Sequence, residues 1–197
     1  MKVSELIENL RYGLLNDIYP FEENSDYGKD KLLLNWVSRS VRQVSRDIPH
    51  LKYQYRFKVV EGIDEYPLPK DFITPHSLTK EDGTSVLINE DSGSESAIFT
   101  GRSIVIPFSY SGEMSLEYFR IHPKIVSPDD EILINDAFID LVETYVAYLA
   151  HNRQGNKQSE GSNLFYIRYK SLIDEAISSV MDWAITENER FRRNGWV

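Results

Sequence analysis

The apolar residues of this chain change their spacing twice, and those two changes limit the possible fold more than any other feature. Up to Ile48 they recur every three to four residues, as one face of a helix requires. From Tyr53 to Arg120 they alternate, as a half-buried strand requires, and after residue 121 the helical spacing returns. Helix-spaced segments on either side of a strand-spaced one predict an α+β fold. Neither helical pair closes a core alone. The expected arrangement is therefore a four-helix core, two N-terminal and two C-terminal helices, with an inserted, mostly antiparallel β region. The matching boundaries are 1–52 and 121–188 for the helical core, 53–120 for the β insertion and 189–197 for a C-terminal docking tail.

Within that frame, Val3, Leu6, Ile7, Leu10 and Leu14 predict a helix over 3–18. Leu33, Val37, Val41, Val44 and Ile48 predict a second over 29–48, with Trp36 at the border of its apolar face and Pro49 at its end. The third runs from 136 to 152 behind Asn135 as N-cap, with Phe138, Leu141, Val142, Tyr145 and Leu149 as its stripe. The fourth spans 162–188 on Phe165, Tyr169, Leu172, Ile173, Ala176, Val180 and Ala184. In the β region Tyr53, Tyr55, Phe57 and Val59 alternate with Gln54, Arg56 and Lys58, and Met114, Leu116 and Tyr118 share one face. Five to seven short strands fit there, with glycines at the turns and a polar loop over 89–96.

No motif carries chemistry. The chain has no cysteine, hence no disulfide, thiolate zinc site or thiol nucleophile. His50, His76, His122 and His151 fall in four different elements without metal-ligand spacing, and read as surface or boundary residues. Asp129, Asp130 and Glu131 follow Ser127-Pro128, where turn formation or capping accounts for them, and they are the only candidates for acid–base work. The reading is a protein that is not an enzyme and needs no cofactor or metal. The net charge of -9 denies it a general grip on nucleic acid, but suits a passage through which DNA slides. No apolar run is long enough for a signal peptide or a membrane span, so synthesis in the cytoplasm and no membrane contact are expected.

Two cationic features remain. Arg39, Arg42 and Arg46 lie on the face of the second helix opposite its apolar stripe, as a solvated or salt-bridged face, a subunit contact or a DNA contact. The tail interleaves Arg190, Arg192 and Arg193 with Phe191 and Trp196, residue types typical of interface hot spots, and reads either as a frayed end or as a docking segment.

The stretch V-V-E-G-I-D-E-Y-P-L-P-K-D-F, residues 59–72, turns at Gly62 and stiffens at Pro67 and Pro69. Preceded by Leu33-Leu34-Asn35-Trp36-Val37 and Arg42-Gln43-Val44, this cassette of Gly62, Tyr66, Leu68, Pro69, Asp71 and Phe72 resembles that of the head-to-tail adaptor (connector, or tail-tubular A type) proteins of short-tailed bacteriophages. Pro67 is an addition to the family pattern. The resemblance implies a structural virion protein at the head–tail neck, made in the host bacterium. It would form a homo-oligomeric ring, typically dodecameric, beneath the portal protein, extend the DNA channel used in ejection, and offer tail proteins a docking surface. It also implies a C-terminal segment that reaches the portal, here Arg190 to Trp196. The cassette itself reads as a rigid junction between helical core and β insertion, with Asp71 capping a turn and Phe72 pinned to the helices. Two other readings stand beside it: a minor tail or virion interaction module, and a virion-associated cell-wall hydrolase using the acidic cluster.

Overall fold

The computed structural model describes residues 1–16, 26–89, 96–153 and 164–178. Two compact units emerge: the described residues of Met1–Ile48 and Lys124–Val197 form one, and Pro49–Pro123 forms the other.

The first unit is helical: α1 (Val3–Tyr12), α2 (Asp26–Asp47), a short 3-10 turn (Asp136–Phe138), α3 (Ile139–Arg153) and α4 (residues 164–178). Helix α1 buries Val3, Leu6, Ile7 and Leu10, one helical face. Its first-turn amides, which have no partner within the helix, are capped from a distance in sequence. The N–H groups of Val3 and Ser4 donate to the carbonyls of Asp130 and Pro128 at 3.0 and 2.9 Å, and the Glu5 carboxylate accepts from the Lys2 N–H at 3.1 Å. The helix ends at Tyr12, six residues earlier than the spacing predicts. Gly13 donates its N–H to the Asn9 carbonyl at 2.9 Å, and a side-chain carbon there would sit 2.8 Å from that oxygen. A glycine closing the last turn outweighs the next apolar residue in the stripe.

Helix α2 buries Leu33, Val37, Val41 and Val44, and Trp36 lies inside the core rather than at its border, with only 4% of its surface exposed. Helix α3 carries no single stripe. Leu141, Val142, Thr144, Val146, Ala147, Leu149 and Ala150 are all buried, the pattern of a helix covered on most sides. Asn135 caps the turn before it, its side chain accepting from the Ala137 N–H at 3.1 Å. Helix α4 buries Tyr169 and Ile173 on one face and exposes Leu164 and Ile167; the remainder of the predicted 162–188 helix lies outside the described residues.

Glu143 sits half-buried on α3, and burial, then the Asp140 charge, raises its carboxyl pKa above the ordinary glutamate value. A raised folded-state pKa stabilises at acid pH, and that contribution is lost as pH rises through the raised value. Glu143→Gln is therefore expected to raise the melting temperature at neutral pH, with the gain vanishing near about pH 4. Thermal melts of both proteins across that range check it.

The second unit is a seven-stranded sheet in the order β1-β7-β3-β4-β5-β6-β2. The strands are β1 (Lys52–Val59), β2 (Glu65–Pro67), β3 (Phe72–Lys80), β4 (Ser85–Ile88), β5 (Ser96–Phe99), β6 (Ser103–Val105) and β7 (Gly112–Arg120). The neighbours pair antiparallel except β4 and β5, which run parallel through Leu87–Ser96 and Ile88–Ala97. Inside the curl lies a core of its own: Phe57, Val59, Tyr66, Leu78, Val86, Ala97, Ile104, Ile106, Met114, Leu116 and Tyr118.

The fold therefore differs from the four-helix core with an inserted, mostly antiparallel β region. The chain is four helices plus a curled, mixed, seven-stranded sheet, a half-barrel that occupies the middle of the sequence. A strand set that curls upon itself buries its own apolar face, so it needs no helical core to complete it. The parallel β4–β5 pair is invisible to apolar alternation, which has the same period in either pairing.

Candidate functional site

The cassette is built around one hydroxyl. Gly62 adopts a positive φ of 84° in the turn after β1. The turn closes through the Ile63 N–H to the Val60 carbonyl at 3.1 Å. Tyr66 then reaches back: its hydroxyl accepts from the Val60 N–H at 2.9 Å and donates to the Ile63 carbonyl at 2.7 Å. Its ring packs on Phe57 at a centroid distance of 5.4 Å. Strand β2 pairs only with β6, so Pro67 stands on a sheet edge where a missing N–H costs no ladder bond. Leu68 leaves the strand with its N–H on the Arg102 carbonyl at 3.0 Å, and the Phe72 N–H closes on the Pro69 carbonyl at 3.1 Å.

Asp71 and Phe72 behave differently from the reading that pinned the cassette to the helices. The Asp71 carboxylate accepts from the Tyr118 hydroxyl at 3.0 Å instead of capping a turn. Burial, then this carboxylate, pushes the Tyr118 phenol pKa far up. Phe72 stacks on Phe99 and tilts against Tyr118, at 5.8 and 5.6 Å between centroids. Both anchors lie in the half-barrel, because its curled face supplies the aromatic partners.

Arg39 and Arg46 are exposed on α2 and Arg42 is half-buried. Arg39 lies close enough to Tyr145 to lower its phenol pKa, though burial prevails and the net shift is upward. Just after these arginines the helix carries a contact that spacing alone does not reveal. Asp47 accepts from the Tyr169 hydroxyl of α4 at 2.6 Å and from Gln43 Nε2 at 3.2 and 3.1 Å. Tyr169 belongs to the apolar stripe of α4, and nothing in a stripe indicates where its hydroxyl points. Arg190, Phe191, Arg192, Arg193 and Trp196 lie outside the described residues.

The acidic turn is structural in its contacts. Asp130 Oδ2 accepts from the N–H groups of Val126 and Ser127 at 2.8 and 3.0 Å, while its backbone carbonyl caps α1. The histidines stay apart. His122 is buried rather than superficial, with Nδ1 at 2.7 Å from the Pro123 carbonyl. His76 meets Lys52 and Phe119, and His151 meets Phe165. Among the described residues no group of three or more His, Cys, Asp or Glu side chains is placed to hold a metal ion, and no helix is long and apolar enough to cross a membrane.

Against known proteins, the family described as SU10 adaptor protein matches residues 1–194. No curated protein matches the chain.

Proposed function

The chain belongs to the SU10 adaptor protein family, a family of structural bacteriophage proteins, and on that premise we propose that it forms a ring between portal and tail. The match over residues 1–194 carries this reading. In it, copies assemble head to tail around the channel, each using one surface patch against a different patch of its neighbour. The exposed Leu164 and Ile167 of α4 supply apolar area for such a contact, with Arg39, Arg42 and Arg46 as a second contact to a subunit or to DNA. The ring, a dodecamer in this reading, extends the portal channel at the virion neck. Its acidic balance, -9 per chain, keeps the passing DNA from adhering. The segment Arg190–Trp196 docks on the portal, and the half-barrel faces tail proteins.

Electron microscopy of the protein mixed with its portal is expected to show an added ring layer. A chain that stays monomeric and never binds the portal overturns the reading. Deleting residues 188–197 is expected to weaken portal docking by at least about tenfold, since clustered Arg and aromatic side chains dominate interface energies. The helical circular dichroism melt should not move. A truncated chain that docks normally removes the tail from the interface.

A further inference from the structure

The half-barrel has two edges, and they are built differently. The β2 edge is Glu65–Pro67, only three residues, followed by Pro69. Brevity and proline are how natural sheets keep an edge from pairing. The β1 edge has eight residues, no proline and no bulge, in register with β7 from Lys52–Phe119 to Val59–Gly112. The Arg120 N–H donates to the Leu51 carbonyl at 2.9 Å, which sets the phase of this antiparallel ladder. Tyr53, Tyr55, Phe57 and Val59 thus turn their backbone groups toward β7, and Lys52, Gln54, Arg56 and Lys58 turn theirs away. The next outward N–H, that of Val60, is held by the Tyr66 hydroxyl. Before it, four exposed positions form an open ladder, and among the described residues no backbone hydrogen bond outside the β1–β7 ladder reaches them.

Three of those four positions are cations, Lys52, Arg56 and Lys58, in a chain of net charge -9. The facing residues of β7 offset this charge in part: Lys52 faces Phe119 and Arg56 faces Ser115, while Glu117 opposite Gln54 and Glu113 opposite Lys58 set two carboxylates beside three cations, which leaves the edge strand itself cationic. A second β1 laid antiparallel on this edge would set cation against cation, which destabilises a strand pair. A strand with carboxylates on the same face is complementary.

We infer that the β1 edge docks an extended, acidic segment of a partner protein, added as a further strand. Main-chain hydrogen bonds to Lys52, Gln54, Arg56 and Lys58 hold it, and its carboxylates lie beside Lys52, Arg56 and Lys58. This goes beyond the adaptor reading and does not depend on ring formation.

The test uses the full chain in solution and a blocked peptide of alternating glutamate and threonine, as long as β1. Saturating peptide is expected to slow amide hydrogen exchange at Lys52, Gln54, Arg56 and Lys58 by at least about tenfold. Tyr53, Tyr55 and Phe57, already bonded to β7, should not change. Gln54→Pro removes an outward donor and spares the backbone ladder to β7, so it should abolish this protection, whereas Gln54→Ala, which loses only the side-chain bond to Ser115 Oγ at 2.7 Å, should retain it. Arg56→Glu with Lys58→Glu should weaken it at least about tenfold at constant fold, and a lysine–threonine peptide should give none. An acidic peptide that slows none of the four amides overturns the proposal and leaves the cations only a role in keeping the edge unpaired. Equal protection by both peptides overturns the acidic partner. Protection that grows with protein concentration alone makes the occupant a second copy and overturns it as well.

Discussion

Tyr169→Ala is expected to destabilise the helical unit by about 3–5 kcal/mol, the range for deleting a large buried aromatic ring. That is a large part of the stability of an ordinary domain, so urea denaturation followed by helical circular dichroism should show a much earlier transition. Tyr169 is 1% exposed, packs on Tyr145 at 4.8 Å between centroids, and donates to Asp47 at 2.6 Å. The phenylalanine variant separates ring from hydroxyl. Tyr169→Phe keeps the packing and leaves Asp47 without its α4 donor, at a cost of about 1.5–3 kcal/mol for a bond to a charged group. A pH signature accompanies it. Burial, then the Asp47 bond, raises the Tyr169 phenol pKa, so its contribution is complete below the ordinary tyrosine value and is lost as pH rises toward the folded one. Stability of the parent should therefore fall above about pH 10 more steeply than that of Tyr169→Phe. If Tyr169→Phe melts like the parent at every pH, the α2–α4 bond contributes nothing.

Both halves of that interaction show what a sequence discloses. The stripe that includes Tyr169 was legible because burial of one helical face requires a fixed period. Its hydroxyl partner was not, since Asp47 is 122 residues away along the chain. The same division recurs at α1. Val3, Leu6, Ile7 and Leu10 marked the helix, yet its cap comes from the carbonyls of Pro128 and Asp130. The acidic turn at 127–131 could be read as turn chemistry, but not as the turn that receives another segment's first helical amides. Long-range hydrogen bonds leave no period.

The fold class failed for a related reason. Alternation located the strands between 53 and 120, but it carries neither strand order nor direction. It does not separate an appendage that leans on helices from a sheet that curls over its own core. The deciding residues, Phe57, Tyr66, Leu78, Ile104 and Leu116, are buried against one another. The family likeness was legible in a short cassette because that stretch is constrained by local geometry: a glycine turn, an edge proline and a tyrosine that closes the turn.

Within that cassette the tyrosine, not the glycine, is expected to be the more costly residue to lose. Tyr66→Ala removes a ring that packs on Phe57 and a hydroxyl that serves both Val60 and Ile63, for about 3–5 kcal/mol. Gly62→Ala meets no atom within 4 Å, so its cost is backbone strain at φ 84° alone, about 1 kcal/mol. Tyr66→Phe lies between them, at about 1–3 kcal/mol for leaving the Val60 N–H and the Ile63 carbonyl without this partner. Amide exchange distinguishes the mechanism from general loosening. The Val60 N–H points away from β7 and depends on the Tyr66 hydroxyl, so Tyr66→Phe should speed its exchange by at least about tenfold while Phe57 and Val59 stay protected. Uniform acceleration along β1 would mean that the ring, rather than the hydroxyl, holds this end of the half-barrel. A Gly62→Ala protein less stable than Tyr66→Ala would mean that the turn holds the cassette and the tyrosine merely covers it.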